Sequence, residues 1–177
     1  MKHLFSLFVI VTAAVCIAAA QSQVKKETVP GITNFARLET TVACAGAVAP
    51  SAVAEIKNMG FKAIFNLRLA SEQGADIEGE TAAAKAAGIN FVHLPLNGNS
   101  PDPTVVDSFL KAITEPGNQP ALIHCASGNR ASALWFIKRV MVDKWDIDRA
   151  MVEAAQLGAM SPTMKAFALD YVQSHNK

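Results

Sequence analysis

Short apolar stretches alternate with helical patterns from residue 34 onward, and this alternation predicts the fold class. The apolar stretches are bounded by Gly or Pro and contain many Val, Ile and Phe residues, which is typical of buried strands. Strands are predicted at residues 35–46, 61–67, 89–96 and 120–125. Helices between such strands imply a single α/β domain with a central, mainly parallel sheet flanked by helices.

Helix periodicity and boundary residues predict the intervening helices. Residues 50–60 open with Pro-Ser and close at Gly, and residues 79–88 are rich in alanine and also close at Gly. Residues 102–113 carry their apolar side chains on one side, as in an amphipathic helix. Three more helices are predicted at residues 131–143, 146–158 and 161–173. The first of these three is apolar nearly all round at its start, which predicts a central, buried helix.

The first twenty residues have a different pattern. Lys2 and His3 precede an uncharged run that ends in three alanines at Ala20. The run is short for a membrane-spanning helix, and its end suits a signal peptidase. Residues 1–20 are therefore interpreted as a signal peptide and not as a retained anchor, and export to the periplasm or the medium is expected. Residues 21–33 are polar with a Pro-Gly turn and are expected to be a linker before a domain at residues 34–177.

Charge and cysteine usage narrow the possible partners. The chain has 16 basic and 15 acidic residues, and loss of Lys2 with the signal peptide balances them. A balanced chain without a basic cluster does not favour nucleic-acid binding, and no membrane association is expected after cleavage. Cys44 and Cys125 remain and could form a disulfide in an exported protein, but the surroundings of Cys125 favour a free thiol. Cys44 is expected to pack as a small apolar residue.

The histidines do not indicate a metal site. Four histidines are scattered along the chain without cysteines at ligand spacing. His93 lies in a predicted strand and is expected to be a packed core residue. No metal and no cofactor are therefore predicted, and the sequence leaves the oligomeric state open.

A cysteine and an arginine lie on either side of a short turn where the last predicted strand ends. The turn between Cys125 and Arg130 consists of Ala126, Ser127, Gly128 and Asn129. Backbone N–H groups of such a turn and of the following helix start converge on one point and bind anions. The guanidinium of Arg130 adds a planar fork suited to two phosphate oxygens. The same field stabilises a negative sulfur, so Cys125 is predicted to be a thiolate nucleophile.

The segment HCASGNRAS resembles the phosphate-binding loop of cysteine-dependent phosphatases. Four residues separate Cys125 from Arg130, whereas tyrosine and dual-specificity phosphatases have five, and rhodanese sulfurtransferases have four. The four-residue spacing also occurs in a bacterial group of dual-specificity-phosphatase-like domains that is found fused to beta-lactamase-like hydrolases. The segments ACAGAVAPSAVAEIKNMGFKAIFNLRLASE and AAGINFVHLPL follow the order of that group as well. The resemblance covers about residues 34–160.

The resemblance implies a fold similar to dual-specificity phosphatases and hydrolysis of phosphate monoesters through a cysteinyl-phosphate. Cys125 would be the nucleophile, and Arg130 and residues 126–129 would hold the phosphate. His124 would shape the loop and tune the thiol. Ser132 lies near the place where the family has a hydroxyl that helps the leaving thiolate, although Ala131 occupies the usual position. The expected partner is a phosphorylated protein or small molecule.

Phosphate-ester cleavage also uses a proton donor, which the family takes from a loop before the helix that precedes the cysteine strand. Asp102 is the candidate in this chain. The alternative is that Asp102 is the N-cap of a helix that starts at Pro103. In that case the enzyme would act slowly or only on substrates with good leaving groups.

Arg68 and Glu72 follow a predicted strand and should reach the same sheet edge as Cys125. Arg68 is expected either to contact the substrate, with Glu72 orienting it, or to form a salt bridge that only holds the loop. Two other functions stay open beside the phosphatase. The four-residue spacing suits a sulfurtransferase with a persulfide on Cys125, and a site in which Asp102 is only a helix cap suits a non-catalytic phospho-ligand binder.

Overall fold

The computed structural model describes residues 24–39 and 41–175, so the predicted signal peptide lies outside the described residues. The strands are β1 (Val24–Lys26), β2 (Ala36–Leu38), β3 (Val42–Ala45), β4 (Ala63–Asn66), β5 (Asn90–His93) and β6 (Ala121–His124). The helices are α1 (Val53–Asn58), α2 (Ile77–Ala87), α3 (Pro103–Ile113), α4 (Asn129–Met141), α5 (Ile147–Leu157) and α6 (Pro162–His175). Each predicted helix is present within a few residues of its predicted bounds.

The strands form one sheet in the order β1-β2-β3-β6-β4-β5. The first three strands pair antiparallel, whereas β6 pairs parallel with β3 and β4, and β4 pairs parallel with β5. The predicted α/β domain with a mainly parallel sheet is therefore confirmed. Because the carboxyl ends of parallel strands meet at one edge, the residue after central β6 lies in the middle of that edge. That residue is Cys125.

Two details at the start of the domain differ from expectation. Residues 35–46, predicted as one strand, form β2 and β3, which pair with each other after a reversal at Glu39, whose φ is 45°. Residues 24–33 do not form a linker: β1 pairs with β2, and Val29 and Ile32 are buried against the sheet. The linker prediction was based on the polar residues of the segment, and it overlooked that two apolar side chains suffice to anchor so short a stretch.

Helices cover both faces of the sheet. One core cluster includes Ile56 of α1 and Ala84 of α2, and the other joins α3, α4, α5 and α6 to the opposite face. Residues 130–138 of α4 are all buried, which confirms the predicted central helix. In the part of the chain that the structure describes, no helix has the length and apolar character needed to cross a bilayer.

Candidate active site

The cysteine loop joins the end of β6 to the start of α4. Cys125 is fully buried, and its sulfur accepts a hydrogen bond from the backbone N–H of Gly128 at 3.2 Å. Gly128 has a φ of 99°, a left-handed conformation that favours glycine, and it turns the chain into α4 at Asn129. The first N–H groups of α4 have no acceptor within the helix, so they add to the donors around this turn.

Neighbouring loops hold the outer side of the turn. The carbonyl of Ala126 accepts from the N–H of Ala47 at 3.1 Å, and the carbonyl of Ser127 accepts from the side-chain amide of Asn34 at 3.1 Å. Carbonyls that point outward leave the inner side of the turn to N–H groups, as the bond to the sulfur shows. Such an arrangement of N–H groups is typical of anion sites, and anion binding by this turn stays a prediction.

Gly158, at the end of α5, packs closely against the same turn at Gly128. A Cβ atom at this position would lie 2.9 Å from the carbonyl oxygen of Gly128 and 3.3 Å from its carbonyl carbon. The φ of Gly158 is −178°, which any residue adopts, so the constraint is the close approach alone.

We expect Gly158→Ala to destabilise the protein by about 1–3 kcal/mol, because a backbone carbonyl cannot move away as a flexible side chain can. Chemical denaturation measures the change. Gly117→Ala is the matched control, since its nearest neighbour would be a side-chain nitrogen at 3.8 Å. Equal stability of the two variants would contradict the close approach.

Arg130 forms hydrogen bonds with neighbouring loops through the Nη atoms of its guanidinium. Its Nη1 donates to the carbonyls of Leu67 and Leu96 at 3.0 and 2.9 Å and to Glu72 Oε1 at 2.5 Å, and its Nη2 donates to Glu72 Oε2 at 2.9 Å. Of the five N–H donors of an arginine, Nε–H and one hydrogen of Nη2 remain. These two lie on the other edge, and such a pair of donors suits two oxygens of a phosphate.

The charge of Arg130 is also coupled to the nucleophile. Burial opposes its charge, but hydrogen bonding with Glu72 and attraction to the sulfur of Cys125 outweigh burial and raise the pKa of Arg130. The activated thiol of Cys125 stays a prediction.

Glu72 holds Arg130, whereas Arg68 holds the loop. Burial alone would raise the pKa of Glu72, but hydrogen bonds from Arg130, from the N–H of Leu69 and from Arg68 lower it to about 2. The Nη atoms of Arg68 donate to the carbonyls of Gln73 and Gly74 at 2.6 and 2.8 Å, and Arg68 is 3% exposed. Of the two expectations for Arg68, the structure favours the salt bridge that holds the loop.

We expect Glu72→Gln to lower the free energy of unfolding at neutral pH, with a penalty that shrinks on acidification. The folded-state pKa of Glu72, about 2, lies below its ordinary value of 4.5, so the ionised carboxylate stabilises the folded protein above about pH 4.5. That stabilisation is lost as the pH falls towards 2. Denaturant unfolding of both proteins at pH 6 and pH 3 measures the change, and a penalty that grows at pH 3 would contradict it.

Cys44 and Cys125 are both free thiols and both buried. Cys44 lies in β3 opposite Ile123 of β6, within the core. Burial raises the pKa of Cys44 well above its ordinary value, and the nearby Cys125 and Glu153 raise it further. Cys44 is thus a protonated core residue, in agreement with its predicted role.

A buried polar cluster under the nucleophile was not predicted from the sequence. The ring of His124 places Nε2 3.0 Å from Glu80 Oε2, and both side chains are fully buried. The side chain of Asn66, at the end of β4, donates to the same carboxylate oxygen at 3.1 Å. Glu80 lies in the alanine-rich helix α2, where the sequence gives no sign that a glutamate faces the sheet.

Three other predicted residues have local partners. Asp102 is exposed, and its carboxylate accepts from the N–H and the hydroxyl of Thr104 as the N-cap of α3. The hydroxyl of Ser132 donates to the backbone carbonyl of Asn129 at 3.0 Å. His93 is half-buried and bonds to the carbonyl of Arg68 at 2.8 Å, so it is less deeply packed than predicted.

A cavity of about 320 Å³ opens beside the turn. It is lined by Leu69, Glu72, Asn97, Gly98, Asn99, Ser127, Asn129, Arg130 and Ser161. Asp102 is not among these residues, so this structure does not bring it together with Arg130. No cluster of three or more His, Cys, Asp or Glu side chains within residues 24–39 and 41–175 could hold a metal ion.

Solved structures share this fold. A DUF442 protein of Shewanella putrefaciens matches with a TM-score of 0.68 and 20% identity over 82% of this chain and 95% of its own. TpbA of P. aeruginosa matches with a TM-score of 0.64 and 22% identity over 88% of this chain and 91% of its own. The fold, with the cysteine loop at its carboxyl edge, and the family model together define a phosphatase-like domain.

More narrowly, the chain belongs to the family of the phosphatase-like domain of beta-lactamase hydrolase-like protein, whose model matches residues 34–142. The beta-lactamase hydrolase-like protein of Xylella fastidiosa (strain Temecula1) is 36% identical over 87 residues, which are 46% of this chain and 19% of that protein. The chain thus spans about a fifth of the length of this curated relative. The resemblance seen in the sequence is confirmed.

Proposed function

We propose that the protein hydrolyses phosphate monoesters of a phosphorylated protein or small molecule through a cysteinyl-phosphate on Cys125. One observation carries the proposal: Arg130 binds Glu72 with one edge of its guanidinium, and the same guanidinium also interacts with the side chain of Cys125. A phosphate held by the other edge and by the N–H groups of the turn would have its phosphorus next to the nucleophile.

The reaction has two steps at this site. The sulfur of Cys125 attacks phosphorus, an S–P bond forms, and the P–O bond to the leaving group breaks with its electron pair on oxygen. Water then attacks phosphorus, the S–P bond breaks, and the thiolate and inorganic phosphate are released. Arg130 and the N–H groups of the turn stabilise the equatorial oxygens in both steps.

Two parallel assays test the proposal. The chain from residue 21 onward should release phosphate from a panel of phosphate esters and transfer no sulfur from thiosulfate to cyanide. Sulfur transfer without phosphate release would favour the persulfide chemistry that the four-residue spacing also suits. Tight phosphate binding without either activity would favour a binding domain.

Export is a separate part of the proposal, and it rests on residues 1–20 alone. The basic start, the short apolar run and the small residues at its end support cleavage after Ala20. Mass spectrometry of the protein from the periplasm or the medium should find an N-terminus near Gln21. An intact N-terminus in that sample would reject the cleavage, and protein found in the cytosol alone would reject the exported location.

A further inference from the structure

The cavity beside Arg130 contains few groups that can carry a proton. Of its nine lining residues, Glu72 and Arg130 are the ones that titrate, and they are bonded to each other. Their own partnership excludes both as proton donors to a substrate. Both oxygens of Glu72 accept from Arg130, and with a pKa of about 2 the carboxyl group is ionised at neutral pH.

Asp102 does not supply the missing proton. Its Oδ1 accepts from the N–H of Thr104 at 2.9 Å and from the hydroxyl of Thr104 at 2.8 Å. These bonds lower the pKa of Asp102 below its ordinary value. The carboxylate lies on the exposed surface at the start of α3. Its place is that of a helix cap, as the alternative interpretation of the sequence states.

The loop before Asp102 presents amides to the cavity instead of carboxyl groups. Asn97, Gly98 and Asn99 line it, and Asn97 Oδ1 accepts from the N–H of Asn99 at 2.9 Å. An amide can donate a hydrogen bond to a leaving oxygen but cannot transfer a proton to it. A leaving group at this wall would be held in place without being protonated.

We propose that the protein selects phosphates whose leaving group departs beside Asn97 as a stable anion. This class comprises acyl phosphates, phosphoanhydrides and aryl phosphates with electron-withdrawing groups, and it leaves alkyl phosphates as poor substrates. The thiolate forms the S–P bond, the P–O bond breaks, and the electron pair leaves on an oxyanion that takes no proton from the protein. Hydrolysis by water returns the thiolate, with both protons of the water on the released phosphate. The inference rests on the proposed phosphatase function.

The test is the dependence of kcat/KM on the leaving group. Acetyl phosphate, p-nitrophenyl phosphate, phenyl phosphate and phosphoserine span the range from weakly to strongly basic leaving oxygens. Since a general acid contributes about 10²–10⁴-fold, we expect phosphoserine to fall at least about 10²-fold below p-nitrophenyl phosphate. The acetyl and nitrophenyl substrates separate the acyl from the aryl members of the class.

Three variants refine the result. Asp102→Asn keeps a good N-cap, so the ratios between substrates should stay as in the wild type. Asn97→Asp places a carboxyl group at the cavity wall and should raise kcat/KM for phenyl phosphate relative to p-nitrophenyl phosphate, most at acidic pH. Ser100→Asp adds the same charge to the loop at a residue that does not line the cavity, and it should give no such gain.

Several outcomes would overturn the inference. A shallow dependence on the leaving group in the wild type would mean that the protein does protonate it. Selective loss of phenyl phosphate and phosphoserine turnover in Asp102→Asn would make Asp102 that donor. If Asn97→Asp had the wild-type ratios of kcat/KM between substrates, the leaving group would not depart beside Asn97. Absence of turnover with every substrate, p-nitrophenyl phosphate included, would reject the phosphatase function itself.

Discussion

Cys125→Ser should lower turnover of p-nitrophenyl phosphate by about 10⁴-fold or more, because a serine hydroxyl is a far weaker nucleophile than a cysteine thiolate. Binding of inorganic phosphate should persist, since the N–H groups of the turn and the guanidinium of Arg130 are unchanged. Steady-state kinetics and isothermal titration calorimetry measure the two quantities.

Cys44→Ala is the matched control for this variant. Cys44 is a protonated side chain in the core and is not part of the turn, so its removal should leave turnover in place after any loss of stability is accounted for. Iodoacetamide gives an independent measurement: it should label Cys125 before Cys44, and bound phosphate should protect Cys125. Equal labelling of both thiols without protection would contradict the phosphate loop.

Arg130→Lys should lower kcat/KM by roughly 10²–10³-fold although it keeps the positive charge. A lysine has one ammonium group, so it cannot bind Glu72 on one side and present a two-donor fork on the other. The two carbonyls that Nη1 now joins, those of Leu67 and Leu96, would lose the donor that ties them together.

A stability measurement separates the two parts of that effect. The melting temperature reports the loss of the structural bonds, whereas kcat/KM of the folded variant reports the loss of the fork. Arg149→Lys is the control, because Arg149 stacks on Trp145 at 3.6 Å and has no partner in the cysteine loop. Near-normal kcat/KM in Arg130→Lys would contradict the proposal that the guanidinium of Arg130 binds two phosphate oxygens.

The order of helices and strands could be predicted because it depends on local patterns. The span of α3 follows from its one-sided apolar residues and from the Asp-Pro start, and the central position of α4 follows from its apolar character. Pairing between strands has no such local signal. Whether residues 35–46 form one strand or two depends on the strands beside them in the sheet. Whether residues 24–33 form a linker or part of the sheet depends on the same contacts.

The candidate site was predictable where neighbours in sequence are also neighbours in space. Residues 124–130 form a continuous turn, and their chemistry is visible in the sequence. The partner of Arg130, Glu72, is 58 residues away in the sequence. The sequence predicts that Glu72 reaches the sheet edge of Cys125, but it does not show that Glu72 forms the salt bridge with Arg130. Glu80 could not be found, because its burial results from the packing of α2 onto the sheet.

The position of β6 has a consequence for how the chain folds. β6 is the last strand in the sequence but lies between β3 and β4, so the two halves of the sheet share no strand pairing until residue 121 has been added. A nascent chain that ends earlier exposes the unpaired edges of both halves, which are templates for aggregation. We expect the domain to fold after synthesis of β6 and at a rate limited by long-range pairing. Since Cys125 follows β6 directly, the nucleophile is enclosed in the same step that joins the sheet.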